Sequence, residues 1–394
     1  MSRTFKHLET NVVRGGEPET RIEGAVVTPI FQSAMFEYAG ETSYHDLKYI
    51  RLNNTPTHVV LHAKLAAMEG GEAALVSASG MAAISTTLLT VLRPGDHLLA
   101  QDCLYGGTHD LLVGELAALG IETTFVDPDD PSAWERLVTP RTRAIYVETL
   151  TNPLLQVADL EAVVRFARAH ELVSLIDNTF ATPVNFRPLE HGFDLSLHSC
   201  TKYLNGHADI VAGAVIGSRA WIERITHRLN HLGGSLDPHA CFLLDRGLKT
   251  LVVRVRHQNQ SAQTIAERLE RHPAVSRVNY AGLSSHRQHH RAKTLFAGFS
   301  GMLSFELHGG AEAADRFMRH TTLPILAPSL GGPETLLTRP ALTSHAGMAR
   351  EERLKAGISD GLIRMSVGLE STEEIVEDLM QALQVAAVST IGDS

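Results

Sequence analysis

Cysteine, positive charge and long apolar runs are all scarce in this chain, and each absence excludes a class of protein. The three cysteines, Cys103, Cys200 and Cys241, are too few and too scattered for a disulfide framework or a zinc knuckle. The net charge of −9 gives no general attraction to nucleic acid or to an anionic membrane. No apolar run approaches the ~20 residues that cross a bilayer, and the N-terminal segment lacks the apolar core of a secretory signal. We therefore expect a cytoplasmic protein without a nucleic-acid or membrane partner.

The chain is long enough, at 394 residues with 44% hydrophobic residues, to form more than one core. Residues 1–54 show no regular periodicity and carry turn residues, so we expect an N-terminal arm that lies on another part of the protein. Residues 55–247 alternate short apolar runs with helical patterns, which predicts a large α/β domain. Residues 248–394 open with a long helical pattern and predict a smaller C-terminal α/β domain.

Short apolar runs separated by helical patterns predict a mostly parallel sheet that is covered by helices on both faces. The predicted strands of the large domain are AALV (73–76), HLLA (97–100), IETTFV (121–126), RAIYVE (143–148), LVSLI (172–176), DLSLH (194–198) and IVAGAVIG (210–217). Ligands of such a sheet bind at the carboxyl ends of the strands, so the residues that follow each run are the candidates for a site.

Chemically useful side chains follow five of these strands. They are Ser79, Gly80 and Met81 after the first run, Tyr105 after HLLA, Glu148 and Asn152 after RAIYV, Asp177 and Thr179 after LVSLI, and Ser199, Thr201 and Lys202 after DLSLH. Each residue alone is more often a turn, a cap or a solvated side chain. Their joint placement at one sheet edge is what favours a site.

The set suits pyridoxal 5'-phosphate (PLP). A glycine turn at a helix start offers backbone N–H groups to a phosphate, and nearby hydroxyls add donors. A desolvated lysine such as Lys202 becomes a nucleophilic amine that can form a Schiff base. Asp177 can hold a protonated ring nitrogen, and the ring of Tyr105 can stack on the cofactor.

The stretch IDNTFATPVNFRPLEHGFDLSLHSCTKYLNGHADIVAGAV (176–215) resembles the signature region of the Cys/Met-metabolism family of PLP enzymes. This family contains cystathionine γ-synthase, cystathionine γ- and β-lyases and methionine γ-lyase. Further similar segments are GAVVTPIFQSAMFEY (24–38), YIR (49–51), LVSASGMAAI (75–84), YGGT (105–108), ETLTNPLLQVADL (148–160), SLGGPETLLTRPALTSH (329–345) and GISDGLIRMSVGLE (357–370). The resemblance covers nearly the whole chain and implies the fold type I of PLP-dependent transferases.

The resemblance also implies a role for each matching residue. Lys202 binds the cofactor covalently, Asp177 faces the pyridine nitrogen, and Tyr105 stacks on the ring and acts as an acid or base. The other residues implied to bind the cofactor are Ser79, Gly80, Met81, Asn152, Thr179, Ser199 and Thr201. Tyr49 and Arg51 are implied to complete the phosphate site of a neighbouring subunit, so that an active homodimer forms and two dimers assemble into a tetramer. Arg364 is implied to bind the substrate α-carboxylate, with help from Asn152 and Ser329.

The implied activity is γ- or β-elimination on a sulfur- or oxygen-linked amino acid, which yields a 2-oxo acid, ammonia and the leaving group. Candidate substrates resemble methionine, homocysteine, cystathionine or canavanine. The alternative within the family is a γ-replacement synthase that acts on an O-acylhomoserine. The alternative from another class is a catalytically silent relative that serves as a binding subunit, and the intact cofactor residues count against it.

Three departures from the family patterns bear on the substrate. Pro328 stands where cystathionine γ-synthases and γ-lyases typically have a glutamate suited to the distal ammonium of cystathionine. Gly107 stands where methionine γ-lyases typically have cysteine. The segment YIRLNNTPT (49–57) is one residue longer than the usual pattern. His286, His289 and His290 lie close together in the sequence, but no carboxylate or cysteine is near them, so we expect no metal.

Overall fold

The computed structural model describes residues 4–44 and 47–388. Residues 1–3, 45–46 and 389–394, which belong to the predicted arm and C-terminal domain, lie outside the described residues. Within the described part of the chain, no helix is both long and apolar enough to cross a bilayer.

The apolar runs of the first half form a seven-stranded sheet. Its strands are β1 (Ala73–Ser77), β2 (His97–Gln101), β3 (Glu122–Val126), β4 (Thr142–Glu148), β5 (Val173–Asp177), β6 (Leu195–Ser199) and β7 (Gly213–Gly217), in the order β1-β7-β6-β5-β4-β2-β3. The central strands are buried on both faces, as their uninterrupted apolar sequences predict. Only β7 is antiparallel to its neighbours, β1 and β6, so the prediction of a mostly parallel sheet is confirmed.

Helices cover the sheet on both faces. The helices of the chain are α1 (Leu8–Arg14), α2 (Pro56–Glu69), α3 (Gly80–Val91), α4 (Gly106–Asp110), α5 (Pro131–Trp134), α6 (Leu160–Ala169), α7 (Thr182–Asn185), α8 (Arg219–Leu232), α9 (Pro238–Leu248), α10 (Leu251–Glu270), α11 (His289–Leu295), α12 (Gly310–His320), α13 (Arg350–Lys355) and α14 (Thr372–Val388). Helices α3 and α8 pack on one face of the sheet, and α2 and α6 pack on the other.

A second, smaller sheet follows. Its strands are β8 (Val275–Asn279), β9 (Met302–Leu307), β10 (Ile325–Leu326), β11 (Leu336–Thr338) and β12 (Ile363–Ser366), in the order β10-β11-β12-β9-β8. Its core includes Phe305, Phe317 and Leu379. Helix α10 joins the two parts, because its first residues pack in the core of the large sheet and its last turns pack in this second core. A smaller α/β part therefore follows the large sheet, and the domain bounds 248–394 remain a prediction.

Three local features differ from the sequence expectations. The arm begins with a helix, α1, which packs on α2 and α10. The predicted helix over 110–120 consists of the end of α4 and a π-helical stretch, Leu111–Leu116. The predicted long helix over 247–272 begins only at Leu251, because α9 ends at Leu248 and Thr250 is not helical. Tertiary packing overrides a continuous helical pattern at this point.

One buried ion pair ties α2 to α9. Lys64 Nζ lies 2.6 Å from Asp245 Oδ1, and the Lys64 side chain is 1% exposed. Burial lowers the pKa of Lys64, while the charge of Asp245 acts in the opposite direction. The pair holds together the helices that flank one side of the large sheet.

Candidate active site

A cavity of about 720 Å³ lies at the carboxyl edge of the large sheet. Twelve of the fourteen residues predicted for the site line it: Ser79, Gly80, Met81, Tyr105, Asn152, Asp177, Thr179, Ser199, Thr201, Lys202, Ser329 and Arg364. Strands β1, β6, β5, β4 and β2 all point the same way, so the residues that follow them meet at one edge. The second sheet contributes Arg364 from β12.

One wall of the cavity is the N-terminus of α3. Ser79 caps this twelve-residue helix, because its Oγ accepts a hydrogen bond from Ala82 N at 3.0 Å. A Cβ on Gly80 would lie 2.8 Å from the Cβ of Ser199, so only glycine lets the helix start approach the end of β6 so closely. The free N–H groups of the first turn and the adjacent hydroxyls form a cradle that suits a phosphate.

Lys202 lies on the loop after β6, with its amine directed at a serine from the C-terminal part of the chain. Its Nζ donates a hydrogen bond of 2.8 Å to Ser329 Oγ. Burial, followed by the positive charge of Arg364, lowers the pKa of Lys202 to about 8. Arg254 from α10 donates to Tyr203 O at 2.9 Å and thereby secures the loop next to Lys202. An amine with this pKa has a much larger neutral fraction near physiological pH than an ordinary lysine, and the neutral form is the nucleophile.

Asp177 is the last residue of β5. Its Oδ1 accepts a hydrogen bond from Thr179 N at 2.9 Å. Burial raises the pKa of Asp177, while hydrogen bonds from Thr179 and the charge of His198 act against that rise. The hydroxyl of Thr179 in turn accepts a hydrogen bond from Ser199 N at 2.8 Å, which links the ends of β5 and β6.

Tyr105 precedes α4 and its side chain is 42% exposed at the cavity. Its backbone N donates to Glu148 Oε1 at 2.7 Å, so the end of β4 positions the turn that carries the ring. A Cβ on Gly106 would lie 2.1 Å from Ser344 O, and a Cβ on Gly107 would lie 2.7 Å from the Tyr105 ring. The two glycines therefore let this turn pack closely against residue 344 and let the ring lie over residue 107.

Arg364 is 5% exposed and is held in place by neutral partners. Its Nη1 donates to Asn152 Oδ1 and its Nη2 donates to Ser329 O, both at 3.0 Å. Its Nε is buried without a hydrogen-bond partner, and among the described residues no acidic side chain forms an ion pair with it. Burial lowers the pKa of Arg364 to about 10, which leaves it charged. A buried guanidinium with an unsatisfied donor fits a carboxylate ligand.

Ser329 contacts both cationic side chains of the cavity. Its Oγ accepts from Lys202 and its carbonyl accepts from Arg364. It adopts φ of +90°, a strained conformation for a non-glycine residue. The neighbouring Gly331 packs against the backbone of Tyr203, where a Cβ would lie 2.7 Å from Tyr203 N. Contacts on both sides therefore maintain the strained serine between the lysine and the arginine.

Tyr49 and Arg51 do not reach the cavity of their own chain. Arg51 Nη1 donates to Asn230 O at 2.9 Å, and its guanidinium also contacts the Tyr44 hydroxyl. The guanidinium carbon lies 5.5 Å from the centre of the Tyr49 ring. These two predicted residues thus lie together, but apart from the other twelve.

Nine further lining residues are not among the fourteen predicted site residues. They are Ile84, Glu148, Leu150, Phe180, Val211, Pro328, Leu330, Thr343 and Ser344. Glu148 stands at the end of a strand, a position that can indicate a site residue. An acidic residue at such a position is, however, more often solvated. Thr343 and Ser344 come from a loop far along the chain, and no local pattern marks them.

The three clustered histidines have structural surroundings. His289 Nδ1 is hydrogen-bonded to Ala281 O at 2.9 Å, and His286 Nδ1 accepts from Gln288 N at 3.3 Å. Burial and the charge of His289 lower the pKa of His286 to about 4. Within residues 4–44 and 47–388, no group of three histidine, cysteine, aspartate or glutamate side chains is arranged to hold a metal ion.

Comparison with known proteins identifies the family. The sequence profile described as Cys/Met metabolism PLP-dependent enzyme matches residues 9–384. The chain belongs to this family. It is 42% identical to a cystathionine gamma-lyase of Bacillus subtilis over 95% of this chain and 99% of the relative. It is 44% identical to an L-methionine gamma-lyase of Pseudomonas putida, over 98% and 99% of the two chains.

Structural comparison agrees with the sequence. The crystal structure of a cystathionine gamma-lyase from Lactobacillus plantarum complexed with L-serine superposes with a TM-score of 0.93. The identity is 38%, and the match covers 97% of this chain and 99% of the other. The predicted resemblance and the fold type I are therefore confirmed, and the Cys/Met metabolism enzyme described here depends on PLP.

The cavity of this Cys/Met metabolism enzyme fits PLP. The N-terminus of α3, which approaches β6 closely because residue 80 is glycine, suits the phosphate of PLP. The buried amine of Lys202 suits its aldehyde. The carboxyl of Asp177 suits a protonated ring nitrogen. The unsatisfied Nε of Arg364 remains for an amino-acid carboxylate.

Proposed function

We propose that this protein is a PLP-dependent lyase that eliminates a γ or β substituent from a sulfur- or oxygen-linked amino acid. The net reaction consumes water and releases a 2-oxo acid, ammonia and the leaving group. One observation carries the proposal: Ser329 is hydrogen-bonded to both Lys202 and Arg364. A substrate whose carboxylate binds Arg364 therefore has its α-carbon beside the amine of Lys202.

The residues have distinct proposed roles. Ser79, Gly80, Met81, Ser199 and Thr201 bind the cofactor phosphate, with Thr179 and Asn152 completing the cofactor site. Lys202 binds the cofactor aldehyde, and Asp177 keeps the proton on the pyridine nitrogen. PLP, when bound, supplies an electron-withdrawing ring that stabilises negative charge on the carbons of the amino acid.

Proton movements are proposed for two side chains. The Lys202 amine removes the proton from the substrate α-carbon, since its lowered pKa enlarges the fraction of neutral amine near neutral pH. Tyr105, next to the mouth of the cavity, assists departure of the leaving group. Arg364, with Asn152 and Ser329, fixes the carboxylate and so orients the bond that breaks.

We propose that preferred substrates carry an uncharged distal group. The only acidic side chains among the described lining residues are Glu148 and Asp177, both at strand ends beneath the proposed cofactor position. Pro328 and Val211 line the cavity and cannot pair with a distal ammonium. Methionine-like, homocysteine-like and ester substrates therefore fit this wall better than cystathionine does.

The test is a substrate screen with a replacement control. Purified enzyme is given thioether, O-acylhomoserine and oxyguanidino amino acids, with and without an added thiol, and 2-oxo acid is measured. Thiol-independent 2-oxo acid supports the lyase, whereas a thioether product that requires thiol identifies a γ-replacement synthase. Lys202→Ala should lower activity by at least ~10³-fold and leave the fold intact. Borohydride trapping of the cofactor on a peptide other than the one with Lys202 would refute the role of this lysine.

We propose that the enzyme is a homo-oligomer in which Tyr49 and Arg51 complete the phosphate site of the neighbouring subunit. Both lie outside the cavity of their own chain, and the arm before them exposes apolar side chains such as Val26 and Met35, at 72% and 75%. An exposed apolar segment of this kind suits a subunit interface. We also propose that the arm (1–54), large domain (55–247) and C-terminal domain (248–394) are the units of this assembly.

Mixed oligomers test the shared site. Subunits with Arg51→Ala and subunits with Lys202→Ala should each be inactive alone, and activity should return when they are unfolded and refolded together. The restored site combines Lys202 of one subunit with Arg51 of the other. Failure to regain activity, with mixed oligomers verified by mass spectrometry, would contradict the shared site.

A further inference from the structure

Two carboxyl groups lie side by side under the cavity. Glu148 and Asp177 are direct register partners on the adjacent parallel strands β4 and β5, and both line the cavity. Parallel-strand partners project to the same face of a sheet, so the two side chains are neighbours. Glu148 is 5% exposed, so its carboxyl is largely shielded from bulk solvent.

Two neighbouring buried carboxylates repel each other, so the pair favours one shared negative charge over two. The interactions that stabilise a negative charge are divided unequally between the two groups. Asp177 accepts from the backbone N–H and the hydroxyl of Thr179, and it also experiences the charge of His198. Glu148 accepts from two backbone N–H groups, that of Tyr105, which lies 2.7 Å from Oε1, and that of Asn152, so the charge of His198 at Asp177 is what distinguishes the two groups.

Titratable side chains from several neighbouring elements surround the pair. The groups that face the pair from the neighbouring elements are Lys202, Arg364, Tyr105, Tyr146, His198 and Cys103. Lys202 and Arg364 are both hydrogen-bonded to Ser329. Burial, followed by the charge of Asp177, raises the pKa of Glu148 well above its usual range.

We propose that Glu148 and Asp177 carry a single negative charge between them, with the proton held on Glu148. Glu148 is then a neutral positioning residue that holds the Tyr105 turn and leaves Asp177 as the carboxylate that would face the pyridine nitrogen of PLP. An ionised Glu148 would push Asp177 toward protonation, and a protonated Asp177 would lack the negative charge that keeps a proton on the pyridine nitrogen. The inference rests on the proposed role of Asp177.

Infrared difference spectroscopy measures the proton directly. Spectra of wild-type holoenzyme and apoenzyme are compared with those of Glu148→Gln, which keeps the acceptor for Tyr105 N and has nearly the same shape. We expect the wild type to show a carboxylic-acid C=O band at neutral pH that shifts in D₂O and is missing from E148Q. The matched control is Glu115→Gln, an exposed change of the same chemistry that should leave the band in place.

Cofactor absorbance and kinetics supply the second readout. Because glutamine replaces a neutral acid, E148Q should keep the absorbance spectrum of the bound cofactor and its pH dependence, with kcat/KM within about threefold of wild type. Glu148→Ala removes the acceptor for Tyr105 N and should lower kcat/KM by a further ~10-fold or more, which separates position from charge. If Glu148 were an ionised carboxylate with only a structural role, its replacement would not remove a carboxylic-acid band.

The proposal is overturned if the carboxylic-acid band of the wild type is still present in E148Q. It is also overturned if the E148Q replacement shifts the pH dependence of the cofactor spectrum by about one pH unit or more. Failure of the proposed function has a different signature. In that case the wild type releases no 2-oxo acid from any amino acid, while the infrared band and its loss in E148Q remain measurable.

Discussion

Replacement of Arg364 tests both the substrate site and the electrostatics of the cavity. The side chain is held by Asn152 Oδ1 and Ser329 O, and its Nε has no partner. A carboxylate bound to it gains charged hydrogen bonds, each of which contributes about 1.5–3 kcal/mol. Arg364→Ala should therefore lower kcat/KM by about 10- to 150-fold for a single lost bond, and by more if both bonds of a bidentate pair are lost.

The same replacement should change the amine of Lys202. The charge of Arg364 contributes to the lowered pKa of Lys202, which is about 8. Removal of that charge raises the pKa, so the neutral amine forms only at higher pH. The rate at which apoenzyme recombines with PLP depends on the neutral amine, and its pH midpoint should rise in Arg364→Ala.

Arg364→Lys is the matched control, because it keeps the positive charge and loses the planar fork. It should retain the wild-type midpoint for PLP recombination while kcat/KM still falls. Steady-state kinetics with an amino-acid substrate and stopped-flow absorbance of recombination give the two measurements. Unchanged kcat/KM in Arg364→Ala would remove this residue from the carboxylate site, and an unchanged midpoint would refute its effect on Lys202.

Three further replacements have defined outcomes. Gly107→Ala should displace the Tyr105 ring, since the new Cβ would lie 2.7 Å from it, and cofactor absorbance or circular dichroism should change while the melting temperature stays near wild type. Lys64→Ala should lower the free energy of unfolding by about 3–5 kcal/mol, because the charge of Asp245 is left buried without its partner. Denaturant unfolding of the double variant Lys64→Met/Asp245→Leu should show that most of this free energy is regained. Pro328→Glu should raise kcat/KM for cystathionine relative to methionine; an unchanged ratio would show that this wall does not select the distal group.

Much of the large domain follows from local sequence. Runs such as HLLA and RAIYVE are short, apolar and bounded by turn residues, so they predict buried parallel strands, and the structure confirms them as β2 and β4. The second sheet is less predictable. The two residues of β10, Ile325 and Leu326, are half exposed, at 50% and 52%, so no amphipathic pattern marks this strand.

The candidate site also has a part that the sequence predicts and a part that it does not. Residues at or just after strand ends, such as Asp177 and Lys202, lie at one edge of the sheet, as the sequence predicts, because parallel strands bring their carboxyl ends together. The approach of Arg364 to Asn152 joins positions 212 residues apart, and only the packing of the second sheet on the first produces it. The resemblance to a family suggested Arg364, but no local pattern predicts this contact.

Sequence alone determined the alternation of strands and helices, the cluster of reactive side chains at one sheet edge and membership of a PLP family, because these depend on local patterns and short-range order. Tertiary structure alone decided that Ser329 lies between Lys202 and Arg364 and that Glu148 stands beside Asp177. Each of these depends on strand register and domain packing, which bring together residues distant in the chain. The same burial sets the pKa of Lys202, since desolvation is a property of the folded protein.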